Sequence, residues 1–106
     1  GLSAQMEGGL IQAASWALYE EVTFDQDGIT SRDWDTYPIL RFDNVPDIET
    51  ILMERPGDAP LGAGEAVGGP AAGAIANAIF NATQIRMRRM PFTPDMIRAA
   101  AAADAN

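Results

Sequence analysis

The sequence of 106 residues has no cysteine, no histidine and no lysine. Without cysteine there is no disulfide, and without cysteine or histidine this chain supplies no structural zinc site and no iron–sulfur ligation. Positive charge is scarce: seven basic residues, all arginine, stand against fifteen acids, for a net charge of −8. That balance speaks against nucleic acid or an anionic membrane surface as the main partner, since phosphate binding needs clustered positive charge. Long apolar runs are missing too. The longest candidate, 71–82, is interrupted by Asn77 and Asn81 and falls short of the roughly 18 residues of a membrane span. No signal-peptide pattern is present. With histidine, cysteine and lysine absent, a general base here would have to be a carboxylate or a tyrosine.

What remains is apolar and alanine-rich, 47% hydrophobic, a composition for one closely packed core with little buried area per residue. Met6, Leu10, Ala14, Ala17 and Leu18, with Ile11 beside them, recur at helical spacing. They predict an amphipathic helix over about 4–20, with Ser3 as its N-cap. Gly8 and Gly9 in that helix each cost about 1 kcal/mol relative to alanine, a cost that a close backbone approach would explain. "VTFDQDGITS" reads as strand, turn and strand, near 21–26 and 29–33, with Asp27-Gly28 at the turn. The stretch 32–49 mixes aromatics, prolines and acids without a period and is expected to cross a protein surface. "IETILMER" alternates, Ile48, Thr50 and Leu52 on one side and Ile51 and Met53 on the other, which predicts a strand near 48–55. A second long helix is expected over about 66–83. A shorter one follows, with Thr93 as N-cap, Pro94 at its first position and Asp95 in its first turn. The sum is an α+β fold: two long helices packed on a small antiparallel sheet, with a short C-terminal helix. The opening "GLSAQMEGG" has no initiator methionine and is already helical in pattern, so a piece of something longer is expected.

Three motifs invite a chemical reading. "DQDG" places glycine fourth, where a calcium-binding EF-hand loop needs it sixth, so a hairpin turn fits better. "RMRRM", Arg86 to Met90, follows a helix and answers its negative end more simply than it makes a basic patch. "GAGEAVGG" lacks the spacing of a phosphate loop, and Glu65 would repel phosphate. Glu65 itself has two readings. It is either a first-turn acid complementing the helix dipole, or a base that glycine neighbours leave open to a ligand.

Several motifs together go further. "QMEGGLIQA", "EEVTFDQDG", "YPILR", "VPDIE", "GAGE", "AIANAI" and "RMRRMPFTP" follow one another in an order that resembles the C-terminal end of molybdenum hydroxylases, the relatives of xanthine dehydrogenase and aldehyde oxidase. The isoquinoline 1-oxidoreductase and nicotinate dehydrogenase large subunits look nearest. The resemblance implies that residues 1–106 are the C-terminal part of a molybdopterin-binding catalytic domain. It implies Glu65 as the catalytic base, and Gln5, Gly8, Gly9 and Gly64 beside the cofactor, with no side-chain metal ligand. The implied reaction hydroxylates N-heterocycles or aldehydes with oxygen from water. The implied cofactor is molybdopterin with molybdenum, in its cytosine dinucleotide form, bound by the full enzyme and not by this piece alone. The implied partners are the upstream part of the same subunit and a small subunit carrying iron–sulfur clusters, in the cytoplasm or periplasm. Gln84 departs from the pattern, standing where relatives commonly end the helix with glycine. The competing reading is a noncatalytic acidic module that binds a partner chain. Either way, the apolar circumference of the second helix predicts that the isolated chain self-associates, by dimerising or by exchanging a terminal helix.

Overall fold

A computed structural model describes residues 1–105. The fold is α+β. Three helices, α1 (Leu2–Leu18), α2 (Gly68–Thr83) and α3 (Pro94–Asp104), accompany one two-stranded antiparallel sheet of β1 (Phe24–Asp25) and β2 (Gly28–Ile29).

The predicted stripe of α1 faces inward. Ala13, Ala14 and Ala17 are buried, and Met6, Leu10, Ile11 and Leu18 are half-buried. Alanine on both sides lets α1 and α2 approach closely, with Ala71 buried and Ala72, Ile75, Ala76 and Ile79 turned toward the core. Met87 and Phe92, from the link between α2 and α3, fill the remaining space with Met96, Ile97 and Ala100 of α3. The Phe92 amide donates to the Ala17 carbonyl at 2.7 Å and so fixes that link to the end of α1. The core is small, as the composition predicts: no large side chain is fully buried among the described residues.

The hairpin forms where expected but is shorter. Phe24 pairs with Ile29 and Asp25 with Gly28, and the Thr30 amide donates to the Thr23 carbonyl at 2.8 Å. Gly28 has φ 128, which a side chain would strain. Helices α1 and α2 meet each other, and neither meets this hairpin. The expected strand over 48–55 is absent. Ile48 and Thr50 are half-buried and Ile51 and Met53 exposed, but Leu52, expected on the side of Ile48, is 47% exposed, and no neighbouring strand of the described residues offers a ladder. Alternation selects a face; only a partner makes a strand.

Helix ends also differ in detail. Ser3 lies inside α1, and Gly1 stands at its cap position. The α2 helix starts at Gly68, after a turn, and ends on Gln84 in the left-handed conformation at φ 62. Thr93 caps α3 as expected, its hydroxyl accepting from the Met96 amide at 3.3 Å.

Candidate functional site

The "GAGE" segment forms a turn leading into α2. The Ala66 amide donates to the Ala63 carbonyl at 3.4 Å, and the Gly68 amide donates to the Glu65 carbonyl at 3.1 Å. Glu65 therefore lies just before the helix and not in its first turn. Its side chain is exposed, and no described residue donates a hydrogen bond to its carboxylate.

This turn rests on one face of α1. A Cβ on Gly9 would stand 2.6 Å from Val67 Cγ2 and 3.3 Å from the Gly64 carbonyl oxygen. Here is the close approach that the glycine in α1 requires. Gly8, in contrast, faces open space. A Cβ on Gly64 would stand 3.3 Å from Gln5 Oε1, so Gln5 and Gly64 are neighbours although 59 positions separate them. A cavity of 370 Å³ opens beside the contact, lined by Gly9, Gln12, Trp16, Gly64, Glu65 and the start of α2. Trp16 is 47% exposed, and its ring lies 3.9 Å from where a Gly68 Cβ would be.

Of the five candidate residues, Gly9, Gly64 and Glu65 line the cavity and Gln5 lies against Gly64 outside it; Gly8 is one position away on α1, also outside the lining and facing open space. Sequence reasoning missed Gln12 and Trp16. The signal was present: Gln5, Gly9, Gln12 and Trp16 stand at i, i+4, i+7 and i+11, one face of a helix beside its apolar stripe.

The lining offers the Gln12 amide, one carboxylate, an indole and glycine backbone, with the Gln5 amide beside Gly64. That set suits a planar heterocycle: amides bond its edge, an aromatic face covers it, and glycines let it approach. It is not a ligand set for a bare metal ion, which would call for convergent carboxylates, imidazoles or thiolates. A pterin fits these residues; any metal would have to be carried by the pterin.

A second polar cluster lies at the other end of α1. Buried Ser15 donates to Glu20 Oε1 at 2.5 Å and accepts from the Leu40 amide at 3.0 Å. The Tyr37 hydroxyl donates to Glu20 Oε2 at 2.7 Å. This bond, with desolvation and the carboxylate charge behind it, raises the Tyr37 pKa above its usual value near 10. The cluster ties the aperiodic stretch to α1, and none of its members lines the cavity.

Residues 1–46 match the family model of a molybdopterin cofactor-binding domain. Over 100 residues, 94% of the chain, the sequence is 43% identical to a nicotinate dehydrogenase of Pseudomonas putida, in the second of that enzyme's named subunits. It is 37% identical over 97 residues to the beta chain of isoquinoline 1-oxidoreductase from Brevundimonas diminuta, and 35% over 102 to a membrane-bound aldehyde dehydrogenase of Gluconacetobacter polyoxogenes, whose name carries pyrroloquinoline quinone. The fold matches the crystal structure of quinoline 2-oxidoreductase from Pseudomonas putida 86 with a TM-score of 0.80 and 26% identity, over 94% of this chain and 14% of that one. The chain spans only 8%, 12% and 13% of the nicotinate, isoquinoline and aldehyde relatives. Family model, relatives and fold agree: over 94% of its length this chain is similar to one part of the molybdenum hydroxylases.

Proposed function

We propose that the chain is the part of a molybdopterin-dependent oxidoreductase that supplies the catalytic base, Glu65, for hydroxylating an N-heterocycle or aldehyde. The observation that carries this reading is the position of Glu65. Its carboxylate is exposed, lines a cavity beside an amide and an indole, and has no partner among the described residues to occupy it. The names of the nicotinate, isoquinoline and quinoline relatives support a heterocycle, and that of the aldehyde relative supports the alternative substrate class. Pyrroloquinoline quinone in one of those names is outweighed by the molybdopterin match, which covers Gln5 and Gly9 themselves.

The overall reaction turns R–H and water into R–OH, two protons and two electrons. Bound molybdopterin with its molybdenum, in the cytosine dinucleotide form, supplies the redox chemistry. The work of this chain is to take a proton from the water-derived oxygen at a Glu65 carboxylate oxygen, making that oxygen a better nucleophile. Gln5 holds the pterin edge through its amide, and Gly8, Gly9 and Gly64 keep side chains out of the way. Trp16 screens one wall from water. The electrons leave to a small subunit with iron–sulfur clusters, and the upstream part of the large subunit closes the site. On this reading residues 1–106 form the C-terminal part of the catalytic domain, in the cytoplasm or periplasm. Alone, this chain neither turns over substrate nor stays monomeric.

The test is Glu65→Gln in the full-length enzyme. Folding and molybdenum content should stay near wild type, while turnover falls by the roughly 10²–10⁴-fold typical of a lost base. Near-normal turnover in a fully loaded variant would end the assignment.

A further inference from the structure

The stretch 46–54 is anomalous in its backbone. From Pro46 to Glu54, no N–H or C=O makes a hydrogen bond to any described residue. Its neighbours on both sides do: the Val45 amide donates to the Phe42 carbonyl, and the Asp58 amide to the Arg55 carbonyl. Such a run is ordinary in a polar loop, where water satisfies every group. This one carries Ile48, Ile51, Leu52 and Met53. Residues 48–53 all line a groove with Leu2, Met6 and Leu10 of α1, yet Ile51 and Met53 stay 81% and 80% exposed. An alternating stretch that rests on a helix and leaves its whole backbone free has the form of a strand without its sheet.

We infer that residues 47–54 are a β-strand completed by an extended strand from the remainder of the parent large subunit, lying alongside so that its apolar side chains cover Ile51 and Met53. This rests on the family reading above. Backbone chemistry fixes the kind of occupant: only another strand offers donors and acceptors at matching spacing along eight residues. The source follows from length and charge. The chain spans 8% to 13% of its curated relatives, so most of their polypeptide is available to supply that strand. A second copy would bring another net charge of −8 to an edge that already carries Asp47, Glu49 and Glu54.

Amide hydrogen exchange in the full-length enzyme, compared with the 106-residue chain at high dilution, tests this. The amides of 47–54 should exchange at least about 100-fold more slowly in the full-length enzyme. Equal rates in an enzyme that contains molybdopterin would overturn the strand pairing and leave the family reading standing. Slow exchange in a full-length protein free of molybdopterin would overturn the family reading and leave the pairing standing. Protection appearing in the isolated chain as its concentration rises would give the edge to a second copy and overturn the proposal. The double variant Ile51→Asp, Met53→Asp adds a second readout. The isolated chain should melt unchanged, because both side chains already face water, while the full-length enzyme should lose soluble yield. A normal yield would also count against the pairing.

Discussion

A carboxylate with no hydrogen-bond partner among the described residues is unusual only in context, and at Glu65 the context is a cavity. Replacing it by glutamine keeps the volume and removes the proton acceptor, so the expected loss of roughly 10²–10⁴-fold isolates chemistry from packing. Tyr37 is the opposite case, a side chain whose role is structural and whose signature is pH dependence. Its pKa is raised first by the bond to Glu20 and next by desolvation. The folded state therefore holds that proton more tightly than the unfolded chain. The stabilisation is complete below the unfolded value near 10 and disappears as pH climbs through the higher folded value. Tyr37→Phe should melt earlier than wild type at pH 7 and lose less stability than wild type as pH rises above about 10. Parallel melting curves across that range would refute the coupling. Glu65 was legible as a candidate because glycines flank it. The Ser15–Glu20–Tyr37–Leu40 cluster was not, since its members come from a helix and from a stretch without period.

At the scale of elements, glycine separates what is geometric from what is tolerated. Gly9 lies under Val67, a stiff β-branched side chain, and beside a carbonyl oxygen; neither can yield cheaply. Gly9→Ala should gain the helix-propensity term of about 1 kcal/mol and lose about 1–3 kcal/mol to overpacking, for a net loss. Gly8→Ala meets nothing and should stabilise by roughly 0.5–1 kcal/mol. Urea denaturation of the two variants gives the comparison; equal and positive shifts would mean that the turn is not seated on α1. Gln84 provides a second case. It holds a left-handed conformation at the end of α2, with its amide donating to the Phe80 carbonyl at 2.7 Å. Gln84→Gly keeps that bond and removes the Cβ penalty, so a gain of about 0.5–1 kcal/mol is expected in the same titration. Helices and caps were readable in the sequence because their signals are local: the stripe of α1, the Thr93-Pro94 start of α3, the Asp27-Gly28 turn. The strand over 48–55 was not realised because pairing is not local. The site was half readable. Its members on α1 share a face, but only the fold brings Gly64 against Gln5.

The whole molecule is open for its mass. Its radius of gyration is 16.9 Å, where a compact domain of this length has about 13 Å. Its accessible surface is 8300 Å², against about 5,700 Å² for a folded monomer of 11.3 kDa. The difference, about 2,600 Å², exceeds the roughly 800 Å² that one partner contributes to an ordinary interface. The sequence places that excess on α2, whose apolar residues run round most of its circumference. The structure puts it elsewhere. The outward face of α2 carries Gly73, Ala74, Asn77, Ala78 and Asn81, and Arg86 covers the Phe80 ring at 3.9 Å. Besides Ile51 and Met53, the most exposed large side chains are Phe24, Trp34, Phe42 and Leu61, in the long connection between α1 and α2, with Phe42 fully exposed. Self-association of the isolated chain should therefore run through these side chains. Sedimentation at micromolar concentration should give species larger than 11.3 kDa, with strong binding of a hydrophobic dye. Phe42→Ser with Trp34→Ser should shift the distribution toward monomer and reduce the dye signal, without moving the melting midpoint, because neither side chain contributes to the core. A double variant that associates as strongly as wild type would return the contact to the helices, and a wild-type chain that sediments as a dye-free monomer would mean the connection is covered within one copy.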